Sequence, residues 1–124
     1  MDVFVNFSSH LSGKWDKKQV AAAEQYGTII DVPFPNVPPD ADEQQIIQMA
    51  HESVDRITNV DETVKAVMVQ GEYTLTHAVV NKLISMGIKA VSACTERIVT
   101  ERIDESGNTV KESRFLFVKF REYC

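Results

Sequence analysis

The chain has 124 residues, 44% hydrophobic and 25% charged, with a formal net charge of −5. That length suits one domain able to bury about two-thirds of the surface its unfolded form exposes, and the apolar content excludes an intrinsically disordered chain. The negative charge argues against a partner held by counterion release, such as duplex DNA, but it leaves small anions, which backbone N–H groups bind without net positive charge.

Residues 2–7 form a Val- and Phe-rich run that reads as a buried first strand, ended by the polar cluster Ser8, Ser9, His10, Ser12 and Gly13. The run turns polar too early for a signal peptide and no later run reaches membrane-spanning length, so we expect a cytoplasmic protein with no membrane partner. The Ala-rich stretch 15–26 predicts a first helix stopped by Gly27 at the C′ position, and 28–34 a second strand. All four prolines, at positions 33, 35, 38 and 39, follow in one stiff, extended loop. Asp40 or Asp42 then caps a second helix, whose apolar stripe runs through Ile46, Ile47, Ala50, Val54 and Ile57.

Residues 64–69 are continuously apolar, as in a strand covered on both faces, and end at Gln70-Gly71-Glu72-Tyr73-Thr74. A third helix runs from there to Met86, with Gly87 as its stop. Residues 88–93 make strand four, and 98–103 with 110–123 form a long antiparallel hairpin around Ser106, Gly107 and Asn108. Cys94 and Cys124 carry neither metal-ligand spacing nor a disulfide framework, which suits a reducing compartment and calls for no metal or cofactor.

This alternation predicts a single α/β domain over 1–124: a Rossmann-like, mostly parallel sheet of order 2-1-3-4-5, helices on both faces, and a C-terminal antiparallel hairpin. The order reverses between strands one and three, and ligands of such sheets bind at that switch point, outside the C-terminal strand ends. There the first loop offers the hydroxyls of Ser8, Ser9 and Ser12 and the imidazole of His10, able to hydrogen-bond phosphate or shuttle a proton. Serine capping and a surface histidine explain the same residues. The second loop, Gln70 to Thr74, offers a glycine for close backbone approach to a ligand and the free N–H groups of a helix N-terminus. A tight turn capped by Glu72 or Thr74 accounts for it equally well. After strand four, Cys94 is a possible nucleophile or a small buried residue, and Arg97 a phosphate or base contact or a solvated charge. In the last strand Phe115 and Phe117 are expected on one face and Leu116, Val118 and Phe120 on the other, as core and dimer packing rather than a nucleic-acid platform. No Walker loop, GxGxxG or catalytic-triad pattern appears in the sequence.

Val5-Asn6-Phe7-Ser8-Ser9-His10, Val69-Gln70-Gly71-Glu72 and the closing strand 114–123 resemble small CRISPR-associated proteins of type III systems. These are CARF-related, Rossmann-like proteins, including ring nucleases, that bind cyclic oligoadenylate second messengers in antiviral signalling. The resemblance implies that Asn6, Ser8, Ser9, His10, Gln70, Gly71 and Glu72 face such a ligand, most readily cyclic tetra-adenylate, and the chemistry of the loops adds Tyr73, Thr74 and Arg97 as candidate contacts. It further implies His10, Ser9 and Glu72 as catalytic candidates for a metal-free attack of a ribose 2′-OH on its neighbouring phosphate, or simple sequestration of the ring. A two-fold homodimer would match the symmetry of the ligand. The family pattern has a proline-containing turn after the histidine where this chain has Leu11-Ser12-Gly13. Two other functions fit the same residues: a glycosyl-bond hydrolase using Glu72, and a non-catalytic interaction module built on the hairpin.

Overall fold

The computed structural model describes residues 1–60 and 62–124. Its strands are β1 (Asp2–Ser8), β2 (Thr28–Pro33), β3 (Thr63–Gln70), β4 (Lys89–Ile103) and β5 (Thr109–Glu122), and its helices α1 (Lys17–Glu24), α2 (Glu43–Thr58) and α3 (Tyr73–Ser85). They form one five-stranded sheet of order β2-β1-β3-β4-β5, parallel except for the antiparallel β4–β5 pair, as the alternation predicts.

The side-chain period of two divides each central strand between two cores. Val3, Val5 and Phe7 of β1 and Val67 and Val69 of β3 point to one face, where Val54 and Ile57 of α2 and Leu75, Val79 and Leu83 of α3 cover them. Phe4, Ala66 and Met68 point to the other, where Trp15, Phe120 and Ala23 of α1 close over them. Helices therefore stand on both faces. α2 begins as its sequence asks, with Asp42 and Gln45 forming a reciprocal capping box.

The first helix is shorter than the expected 15–26. Asp16 is extended and its side chain accepts from Gln19 N, so α1 starts at Lys17, while Ser12–Lys14 forms a separate 3₁₀ turn that leaves Trp15 ahead of the helix. Gly27 lies beyond the C′ position; a Cβ there would run into the carbonyl of Asp2, so close strand approach is what demands glycine.

The C-terminal third departs further from expectation. Cys94-Thr95-Glu96-Arg97 does not follow strand four but lies within β4, because the strand keeps a continuous partner in β5 from Val91 to Ile103. A bulge then slips the ladder: Cys94 pairs with Lys119 and Thr95 with Phe117, leaving Val118 as the extra residue. That slip overturns the expected separation of Phe117 and Phe120, whose ring centroids lie 4.9 Å apart on the α1 side. The outer part of the hairpin is also not buried as a doubly apolar strand would be. Phe115, Leu116 and Val118 are exposed while Phe117 is buried.

The same geometry opens the sheet. β3 and β4 share only the pairs Ala66–Lys89, Val67–Ala90 and Met68–Val91 before they part. Beyond them Gln70 Oε1 accepts from Ala93 N at 2.6 Å and the Tyr123 hydroxyl donates to Val69 O at 2.7 Å, stapling the base of the gap by side chains.

Candidate functional site

Above those staples lies an open cleft of about 610 Å³. Its walls are the first loop (Ser8, Ser9, His10), the turn into α1 (Lys14, Trp15, Asp16, Gln19), the end of β3 (Met68, Gln70, Gly71) and the hairpin (Thr95, Phe115, Phe117). The switch point thus brings together Ser8, Ser9, His10, Gln70 and Gly71, which the sequence places there.

The first loop is held from below. Asn6 is 1% exposed, and its side chain is consumed within the protein: Nδ2 donates to His10 O at 2.9 Å and to Asp31 Oδ1 at 2.8 Å, while Oδ1 accepts from Ser8 Oγ at 2.7 Å. Asp31 of β2 also accepts from Ser12 N at 3.2 Å and Ser12 Oγ at 3.0 Å, fixing the 3₁₀ turn. Asn6, expected to face the ligand, therefore does not line the cleft; it is a scaffold residue whose amide must be satisfied where it is buried. With its backbone pinned, the loop places the exposed Ser9 and His10 on the cleft wall.

The second loop spends its polar groups on itself. The Glu72 carboxylate accepts from Thr74 N at 3.0 Å, Leu75 N at 2.8 Å and Thr74 Oγ1 at 2.7 Å, capping α3. The backbone bonds to Leu75 and Thr74, and then the Thr74 hydroxyl, hold its carboxyl below the ordinary carboxylate range, so it is ionised at neutral pH. Two expectations are corrected by this cap. The amides of Thr74 and Leu75 are not free donors for an anion, and Glu72 is an ill-suited proton donor. Glu72 lines a neighbouring cleft of about 400 Å³ with Phe34, Pro35, Asn36 and Val37, joined to the first through Ser9 and Gly71. Packing demands a glycine at 71: a Cβ there would meet the Phe34 ring at 2.5 Å, and that ring is itself packed on Phe7 with centroids 4.9 Å apart. Tyr73, 88% exposed, and Thr74 lie outside both clefts.

Arg97 is opposite Phe115 on the hairpin, donates from Nη2 to Ser113 Oγ at 3.1 Å, and lies outside the residues that line the cleft. Cys94 is partly buried in β4 and outside them too. Lys14, Trp15, Thr95 and Phe115 also line the cleft, although nothing in the sequence pattern marks them as site residues. The nearest to a signal is the apolar side chain of Phe115 in a strand apolar on both faces; the structure leaves it 66% exposed on the cleft wall.

The fold and cleft define a Rossmann-like α/β domain whose candidate ligand site sits at the switch point, walled on one side by its own hairpin. The chain belongs to the uncharacterized protein MJ1673 family, whose model matches residues 2–121. Neither a curated protein nor a solved structure shows a match to it. Among the described residues, no helix is long and apolar enough to cross a membrane.

Proposed function

We propose that this protein binds a cyclic oligoadenylate, with cyclic tetra-adenylate the first candidate, in the cleft at the switch point, and that it opens the ring or sequesters it. The observation that carries the reading is the makeup of the cleft: an exposed aromatic ring, Phe115, faces loops bearing the hydroxyl of Ser9, the imidazole of His10 and the ammonium of Lys14. A nucleotide needs a flat apolar surface for its base and donors or cations for its phosphate, and base stacking on an aromatic tolerates the remaining geometry.

Ring opening asks little covalent chemistry of the protein. The ribose 2′-oxygen forms a bond to the adjacent phosphorus, the bond to the 5′-oxygen breaks, and the 2′-hydroxyl proton ends on the departing oxygen. His10, on the cleft wall over a fixed backbone, is the group to move that proton, and Ser9 and the Gln70 amide can orient the phosphate. The cap geometry of Glu72 weighs against a glycosyl-bond hydrolase that protonates its leaving group through that residue. A second copy of the chain is part of the proposal: β5 is a free sheet edge carrying exposed Phe115, Leu116 and Val118, and a two-fold pair would offer the same loops to both halves of a ring. The same exposed strand is what favours the interaction-module reading.

The test mixes purified protein with cyclic tri-, tetra- and hexa-adenylate without added metal, following binding by calorimetry and products by chromatography. Tight binding of one ring is expected, with linear products if the protein is a nuclease and an unchanged ring if it is a sponge. Release of free adenine would support the hydrolase instead, and no binding of any ring would overturn the proposal.

A further inference from the structure

β5 ends the sheet, and among the described residues no strand pairs with its outer edge. From Thr109 to Phe117 it runs beside β4 without a shift of register; the bulge at Val118 closes this regular stretch. Residues 111–116 are all exposed. Folded proteins blunt an open edge with a proline, a bulge, a very short strand or charge. Between Thr109 and Phe117 only charge is present, so a row of outward N–H and C=O groups is left open and the order of the charges decides what can dock on it.

Two copies of one strand pair antiparallel about a two-fold axis, one residue facing its own copy and its neighbours facing in reciprocal pairs. Centring on Lys111, Glu112 or Arg114 sets a charge against itself. Centring nearer either end leaves much of the regular stretch unpaired. Centring on Ser113 sets Glu112 against the partner's Arg114 and Arg114 against the partner's Glu112, with Val110 against the partner's Leu116 on the same face. Ser113 is also the midpoint of the stretch, so this register uses all of it. Arg102 Nε donates to Glu112 Oε1 at 2.8 Å and steadies that carboxylate on the strand, while Arg114 is in none of the ion pairs among the described residues.

We propose that this protein forms a two-fold dimer through β5, edge to edge and centred on Ser113, which joins two sheets into one. The partner is a second copy because the edge complements itself: under the two-fold, opposite charges meet and apolar residues meet. On the other face, which bears the cleft residues Phe115 and Phe117, Lys111 falls opposite the partner's Phe115, so each cleft borders the other chain. The dimer gives a definite register to the second copy invoked in the nucleotide reading and rests on that reading for its role at the cleft, but it needs no nucleotide to form.

Sedimentation equilibrium without ligand tests it on the wild-type protein, on Glu112→Arg, on Arg114→Glu and on an equimolar mixture of the two variants; both substituted side chains are exposed. Wild type is expected to be a reversible dimer. Each variant alone sets like charges against one another twice across the two-fold, and its dimer affinity should fall at least about tenfold. In the mixture the arginines of one chain meet the glutamates of the other, so heterodimers should form and most of the affinity return. A wild-type protein monomeric at every concentration overturns the dimer. Variants that associate as the wild type does, or a mixture that stays monomeric, overturn the register. If the four samples follow the expected pattern and calorimetry finds no binding of cyclic tetra-adenylate, the interface holds and the messenger reading fails. If the wild type binds the ring as a monomer, the interface fails and the messenger reading holds.

Discussion

The two loops at the switch point look alike in sequence, each a polar cluster at the end of a buried strand, and the structure uses them in opposite ways. The loop after β1 has its anchors beneath it, in Asn6 and Asp31, so that Ser9 and His10 remain available on top. The loop after β3 has its anchor in Glu72 itself, and its donors and carboxylate satisfy one another. A polar residue at a strand end is therefore a site residue only when some other residue has met the needs of the backbone around it. In the first loop a neighbouring strand supplies that support across the sheet; the second has to supply its own.

Substitutions can break this comparison at several depths. The largest effect is expected at His10: under the proposed ring opening, His10→Ala should lower the rate at least about a hundredfold by chromatography while thermal stability is unchanged, since the His10 carbonyl and not its imidazole is held by Asn6. Asn6→Ala should do the reverse, lowering stability in denaturant titration by about 2–3 kcal/mol, because it removes a buried amide with three hydrogen bonds. In the second loop, Gly71→Ala should cost about 1–2 kcal/mol by forcing the Phe34 ring off its seat, whereas Gly13→Ala, with nothing within 4 Å of the added Cβ, should leave the midpoint unchanged.

Among the substitutions that cost stability, the smallest effect is at Glu72. Its carboxyl is held below its ordinary value in the folded protein, so the stability it contributes is present in full above the ordinary carboxylate range and is lost as pH falls through the lowered value. Glu72→Ala should therefore lower Tm by roughly 3–6 °C at neutral pH, and the difference from wild type should close under acid conditions. Thermal melts across that pH range check the sign.

The sheet order and the place of the cleft were legible because they follow from local pattern: apolar runs, helical stripes and their alternation decide which strands neighbour one another. What was not legible depends on partners distant in sequence. The slip at Val118 is a property of the β4–β5 ladder rather than of either strand, and with it goes the face on which Phe120 sits. Phe115 belongs to the cleft only because β4 leaves β3 after Val91 and carries the hairpin past the sheet. Asn6 and His10, four residues apart, sit in one polar cluster in the sequence; only the position of Asp31 on the adjacent strand makes the first a scaffold and the second a cleft residue.

The central claim is that ligand binds between the first loop and the hairpin, away from the Glu72 cap. Calorimetry of cyclic tetra-adenylate with Phe115→Ala and Glu72→Ala beside the wild-type protein tests it most directly. Loss of a stacking surface predicts at least about tenfold weaker binding in Phe115→Ala, and wild-type affinity in Glu72→Ala; unchanged binding in the first variant with loss in the second would contradict the account.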